Sequence, residues 1–325
     1  METAGNGSPS ARRNASGKLF LFAFCLPLVG GSCLAQEMYK YRDENGEWIY
    51  TDRAPVTQQE VEIRELPRGE ADPRVLVYDQ QSGGNFNFIA QNEFHAPVEV
   101  ILGLDSLENL TYPNPDQELR WVVPPRSRVL LMQLQMREEG VSGRAEYRYV
   151  WLPGDPGSEH KPDEAYRVPF AISNEFRISQ AFPVGITHLT PDSYYAVDIV
   201  MPVGTDIYAA RSGTVFEIAS NNFRGGVDPA RNLAEANLIR ILHNDGTFSV
   251  YAHLNWNTIR VEPGDTVVRG EYIADSGNTG YTTGPHLHFA VMQNKGLRVE
   301  SIPIEFEGPN NSAVVPETGN DLAAY

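Results

Sequence analysis

Two histidines stand one residue apart in TGPHLHFAV, residues 283–291, a stretch that otherwise reads as a buried strand. Alternate side chains of a strand point to opposite faces, so His286 and His288 share one face while Leu287 and Phe289 share the other and can serve a core. Two readings fit such a pair: solvated or hydrogen-bonded imidazoles on a polar sheet face, or metal ligands and acid–base groups. His188, His253 and Asp198 lie in the same C-terminal region. Zinc sites that catalyse hydrolysis keep three protein ligands and one water, which the ion acidifies. Both cysteines, Cys25 and Cys33, fall near the N-terminus in what reads as a cleaved leader. A metal site in the remainder must then be built from histidine and carboxylate. The helical His-Glu-x-x-His pattern is absent, so strands would have to carry it.

The elements that must position these groups are strands. TVFEIA (214–219), NLIRILH (237–243), FSVYAHL (248–254), TVVRGEYIA (266–274) and HLHFAVM (286–292) alternate or run apolar. Asn244-Asp245-Gly246 and Pro263-Gly264-Asp265 supply tight turns between them. The polar insertion 220–237 is long for a connection and is expected to line a cleft. His243, before a turn, reads as a hairpin feature rather than a ligand. Residues 309–325 read as a disordered tail.

Upstream, residues 67–165 contain short alternating segments separated by Gly, Pro, Asn and Asp, which predict a β-sandwich-like domain. It holds no catalytic constellation; His95 reads as structural and His160 as solvated. Its β-rich part, residues 74–151, is expected to fold by itself without metal and to be dispensable to the region that follows. Residues 36–66 pair aromatic segments around Asn45-Gly46, a strong hairpin signal, with Tyr39 and Tyr41 expected to face Trp48 and Tyr50. The hairpin itself covers 38–55, and residues 56–73, rich in Glu, Arg and Pro, read as a linker. Residues 1–35 place Arg12, Arg13 and Lys18 before the apolar run 19–29 and end in small residues, the pattern of a signal peptide cleaved near Ala35. The run is too short and too broken by Pro27, Gly30 and Gly31 to span a bilayer, so no transmembrane segment is expected in the mature chain. That organisation places the protein in the periplasm or outside the cell. The formal charge is −16, with four lysines in 325 residues. Nucleic-acid binding needs a cationic surface, and that class is disfavoured.

The region from about Gln180 to Lys295 resembles the lysostaphin-type zinc metallopeptidases that cut peptidoglycan peptides. The resemblance lies in YAVDIVMPVGTDIYAARSGTVFEI, LIRILHNDGTFSVYAHL, VEPGDTVVRGEYIADSGNTG and TTGPHLHFAV, which occur in the family's order. It implies an antiparallel β peptidase domain over 170–308 and one zinc ion in a groove. It also implies peptidoglycan stem peptides or cross-bridges as substrate. Carried over residue by residue, Asp198 and His288 are zinc ligands, and His253 and His286 are the unligated pair that orients water and stabilises the oxyanion. The family's usual first ligand, four residues before the aspartate, is here Tyr194, a poor substitute for imidazole. The chain resembles the subset reading Tyr-Ala-x-Asp with a histidine about ten residues upstream, which makes His188 the third ligand through a turn at 190–193. The hairpin module resembles a short proteobacterial envelope domain of unknown function, so residues 36–165 are expected to offer a surface to an envelope protein partner. The whole chain is therefore expected to be mainly β and to act as a secreted zinc metalloendopeptidase. The competing reading is a non-catalytic domain of the same fold that binds murein or activates another hydrolase. A biotinyl-type carrier, suggested by VEPGDTVVRGEYIA, lacks the exposed hairpin lysine it would need.

Overall fold

The strand His286–Asn294 shows how alternation builds this molecule. Leu287, Phe289 and Val291 are fully buried on one face, each burial contributing about 1.5–3 kcal/mol. His286, His288, Ala290 and Met292 point to the other face. The computed structural model describes residues 3–6, 37–42, 48–51, 61–65, 73–112 and 118–325. They are mainly β, and no described helix is long and apolar enough to cross a membrane.

His286–Asn294 sits within a nine-stranded sheet. From one edge the strands run Thr266–Val267, Gly213–Ala219, Leu238–Leu242, Phe248–Ala252, His286–Asn294, Val197–Val200, Glu175–Gln180 and Asp321–Ala323. Val299–Ser301 also pairs with His286–Asn294, and the pairings are antiparallel. On one face Ile178, Ile199, Ile239, Ile241, Tyr251, Leu287 and Phe289 form a core. Residues 309–325 are not a disordered tail. Asp321–Ala323 pairs with the strand Glu175–Gln180, and Leu322 and Ala324 are buried in that same core. Leu322, Ala324, the partly buried Val314, the Thr318 hydroxyl bonded to Ala181 and an edge-strand ladder hold a segment whose composition reads as polar.

Residues 75–153 form the expected sandwich. Val75–Ser82, Asn85–Asn92, Ser127–Met136 and Leu110–Thr111 make one four-stranded sheet. Thr3–Asn6, Arg144–Pro153, Val98–Glu108 and Arg120–Val123 make the other. Separability, however, is not what the packing shows. Phe86, Phe88, Val98, Val100 and Tyr149 of the sandwich share one core with Phe216, Phe248, Ala290 and Met292 of the nine-stranded sheet and with Ala196 just before its strand Val197–Val200. Pro73–Tyr325 is accordingly one compact unit, together with Met1–Gly7. Ala290 and Met292 belong to the histidine face of their strand, so the sandwich covers part of the face that His286 and His288 occupy.

Ser8–Asp72 is the second unit. Glu37–Arg42 pairs with Trp48–Thr51 as a hairpin, and Glu62–Glu65, inside the stretch read as linker, adds a third strand. The register sets Tyr39 and Tyr41 opposite Thr51 and Ile49, and Trp48 and Tyr50 opposite Arg42 and Lys40. The aromatic pairing expected from sequence is thus off by one residue, and one residue reverses the face. The Asn45-Gly46 turn lies outside the described residues. So does most of the segment read as a signal peptide; its described part, Thr3–Asn6, pairs with Arg148–Trp151.

Candidate metal centre

Strand register assembles the site. Asp198 lies directly opposite His288, and His288 opposite Ala252, so His253 follows at the end of its strand. His286 lies opposite Val200, on the same face as His288. On the outer side Gln180 lies opposite Asp198, across an irregularity between Ile178 and Gln180. Ile178 faces the core with its partner Ile199. Two residues on, regular alternation would send Gln180 to the core as well. The bulge turns Gln180 to the face of Asp198 instead, a common use of bulges beside functional sites.

Around the Asp198 carboxylate three imidazoles converge. Nδ1 of His288 lies 2.9 Å from Oδ1, Nε2 of His188 3.2 Å from Oδ2, and Nε2 of His286 3.8 Å from Oδ1. The rings of His188 and His288 stand nearly perpendicular at 5.1 Å. His188 arrives by the turn at 190–193, where Ser193 and Tyr194 donate their backbone N–H to the Thr190 carbonyl at 2.9 and 3.0 Å. His188 is 6 % exposed, whereas Tyr194 is 44 % exposed and outside the group. Ligand-type atoms of His188, Asp198 and His288 lie within 4.8 Å of one another.

His253 and His286 are held differently. His253 donates its Nδ1–H to the Thr279 carbonyl at 2.7 Å, and His286 donates its own to the Gly284 carbonyl at 2.8 Å. A carbonyl can only accept, so each neutral ring keeps its lone pair on Nε2. His253 adopts a left-handed backbone, φ +62°, and its ring centroid is 4.6 Å from that of His286. Burial, with the nearby His286 and His288, pushes the His253 imidazole down to about 3. It is therefore neutral near pH 7. Burial alone would raise the Asp198 carboxyl. Hydrogen bonds from His188 and His288, then the charges of His288 and His286, outweigh burial and hold it well below the usual range.

The insertion 220–237 is anchored at this end of the sheet. The fully buried Asn237 donates Nδ2–H to the Asn222 and Leu254 carbonyls at 2.6 and 3.3 Å. Its backbone N–H donates to Thr279 Oγ1 at 3.0 Å, behind the carbonyl that holds His253. Gly225 pairs with Gly280, and a Cβ at Gly225 would stand 1.9 Å from the Asn278 carbonyl oxygen, so only glycine permits that approach. The insertion's one helix is the short turn Pro229–Asn232, capped by Asp228 Oδ1. Sequence reading missed Gln180, Thr279 and Asn237. The histidines outside the group are structural. His243 donates Nδ1–H to the Ser212 carbonyl at 2.9 Å, and His95 lies against the Gly264 turn. His160 is half-buried against Tyr166, 3.1 Å from its hydroxyl, rather than solvated.

The residues present fit a metal ion. Two imidazoles and one carboxylate are the N/O donor set of a hydrolytic zinc site. The separations of 2.9 and 3.2 Å are close to the edge of about 3.3 Å that tetrahedral zinc with ~2.0–2.1 Å bonds requires. Two imidazoles, those of His288 and His188, stand within 3.2 Å of the one carboxylate, and a third, that of His286, lies 3.8 Å away.

Residues 192–300 match the family model described as Peptidase family M23, and residues 25–75 match a domain of unknown function, DUF4124. Over 114 residues the chain is 38% identical to lysostaphin of Staphylococcus simulans, covering 35% of this chain and 20% of that protein. It is 30% identical over 126 residues to the peptidoglycan DD-endopeptidase ShyA of Vibrio cholerae, covering 38% of this chain and 26% of that one. The chain thus spans a fifth to a quarter of the length of these curated relatives. A solved catalytic domain of the S. simulans lysostaphin aligns over 44% of this chain and 88% of that chain, at 30% identity and a TM-score of 0.28. The range 192–300 holds Asp198, His253, His286 and His288; His188 and Gln180 lie before it.

Proposed function

Because residues 192–300 belong to Peptidase family M23, we propose that the chain is an exported zinc metalloendopeptidase that hydrolyses peptide bonds of peptidoglycan. The observation that carries the reading is the convergence of His188, Asp198 and His288 next to two imidazoles, His253 and His286, whose Nδ1 atoms are each tied to a main-chain carbonyl so that Nε2 faces the group. His188, Asp198 and His288 would hold the zinc ion. When bound, the ion acidifies a water and polarises the scissile carbonyl. His253, neutral and with Nε2 unprotonated, accepts a proton from the attacking water. Once protonated at Nε2 it donates to the oxyanion or to the leaving amine. His286, with Nδ1–H tied to Gly284, presents Nε2 to the same space and shares these roles. The leader pattern of residues 1–35 supports action in the periplasm or outside the cell, where peptidoglycan is the abundant cross-linked peptide.

The test is zinc content together with digestion of purified peptidoglycan, products resolved by mass. One equivalent of zinc and new amino termini are expected. His253→Ala and His286→Ala should each keep zinc near one equivalent while turnover falls on the order of a hundredfold or more. Zinc without cleavage would replace this reading by a non-catalytic murein-binding role.

A further inference from the structure

His188 must be fixed before it can serve as a ligand, and apolar packing does not fix it. Its neighbours in the connection are turned to solvent: Ile186 is 78 % exposed and Leu189 65 % exposed, with Phe182 and Val184 exposed as well. The flanks of the connection are tied at Val184, whose carbonyl accepts from Thr318 Oγ1 at 3.2 Å, and at Pro191, whose carbonyl accepts from Ser301 Oγ at 3.0 Å. Between them the amides of 186–188 meet one side chain, Gln180. The Oε1 of Gln180 accepts the backbone N–H of Ile186, of Thr187 at 2.6 Å and, more distantly, of His188 at 3.4 Å. The Nε2 of the same carboxamide donates to Asp198 Oδ2 at 2.7 Å and to Thr187 Oγ1 at 2.9 Å. Both hydrogens and both acceptor directions of the amide are used, and the side chain is buried.

We infer that Gln180 is a positioning residue that clamps the Ile186–His188 turn to Asp198 and so makes His188 available as the third metal ligand. The inference rests on the zinc-site reading for the role of His188, while the clamp itself is a property of the metal-free chain. No isosteric residue does both jobs. Glutamate keeps an acceptor for the turn but sets a second carboxylate against Asp198. Methionine keeps the volume and removes every hydrogen bond. The strand carrying Gln180 is in turn held from its outer side. Thr318 Oγ1 accepts the Ala181 N–H at 2.8 Å, and Asp321–Ala323 completes the ladder.

Two measurements on the full chain test this. The first is hydrogen exchange of the metal-free protein. Gln180→Met should speed exchange at the Thr187 amide at least tenfold and leave the amides of His286–Asn294 unchanged, whereas Gln180→Glu, which retains the acceptor, should keep Thr187 protected. The second is zinc affinity by competition with a chelator. Gln180→Met should bind ten- to a hundredfold more weakly, the usual cost of losing a group that orients a ligand. Added to His188→Ala, it should change affinity by no more than about threefold, because both changes remove one interaction. Unchanged Thr187 exchange in Gln180→Met would overturn the clamp. Unchanged affinity in Gln180→Met, or losses that multiply in the double variant, would overturn its action through His188. Should Gln180→Met fail to fold, Gln180→Ala, which also removes every hydrogen bond of the carboxamide, takes its place in both measurements with the same deciding outcomes. A wild-type chain that binds no zinc overturns the metal reading and the ligand role with it, and the exchange result still decides the clamp.

Discussion

At the scale of single residues, the question posed by Tyr194 has a geometric answer. Its phenol is out in solvent, and the imidazole of His188, six positions earlier, stands 3.2 Å from Asp198. His188→Ala is expected to remove zinc and peptidoglycan cleavage together, since two protein ligands hold the ion poorly. Tyr194→Phe is expected to leave both within a factor of two, as metal analysis and a digestion assay would show. The shared face of His286 and His288 is legible in sequence because a strand repeats every two residues, and Asp198 and His253 stand out through the family resemblance of the motifs around them. Gln180 does not stand out. Its place depends on the irregularity after Ile178, and nothing in RISQAF marks a bulge. Thr279 acts on His253 through a main-chain carbonyl, which any residue type would supply equally.

At the scale of elements, the strand His286–Asn294 serves two neighbours with one face. His286 and His288 face the candidate site, while Ala290 and Met292 enter the core shared with the sandwich. Phe248→Ala should cost about 3–5 kcal/mol, as for other buried aromatics, and chemical denaturation should show sandwich and peptidase sheet unfolding together at a lower midpoint. A chain lacking 74–151 would expose Phe216, Phe248 and Met292, so it should lose cooperative unfolding; a soluble, cooperatively melting deletion variant would contradict the shared core. Alternation and turn residues made the sandwich strands legible in sequence. That alternation identifies an apolar face without saying which partner covers it, and so the sandwich looked self-contained. The segment 309–325 misled for the converse reason: it is anchored by a few scattered contacts, Val314, Leu322 and Ala324 on the core, the Thr318 hydroxyl and backbone pairing.

At the scale of the whole molecule, buried imidazoles make the fold sensitive to acid. Burial pushes His243 down to about 4 from an ordinary 6.5. The unfolded chain therefore binds a proton that the folded chain refuses between those values. The associated stability is fully present above about pH 6.5 and is lost as pH falls toward 4. By pH 4.5 the loss should be on the order of 2–3 kcal/mol from this residue alone, and His253 acts in the same direction. Urea midpoints at pH 7 and 4.5 check this: the drop should be smaller in His243→Phe, and an equal drop in both proteins would show that His243 is not its source. A metal that binds only the folded form would raise the midpoint of the entire unit 73–325, since one core joins its two parts.

His253 holds a backbone shape, φ +62°, that asparagine and glycine adopt with least strain. One nucleotide separates a histidine codon from an asparagine codon. A His253→Asn change would therefore fit this backbone and leave His188, Asp198 and His288 untouched. On the proposed reading, one codon change would take the neutral imidazole out of the site and keep its candidate metal ligands, so a binding protein of the same fold lies one substitution from a hydrolase.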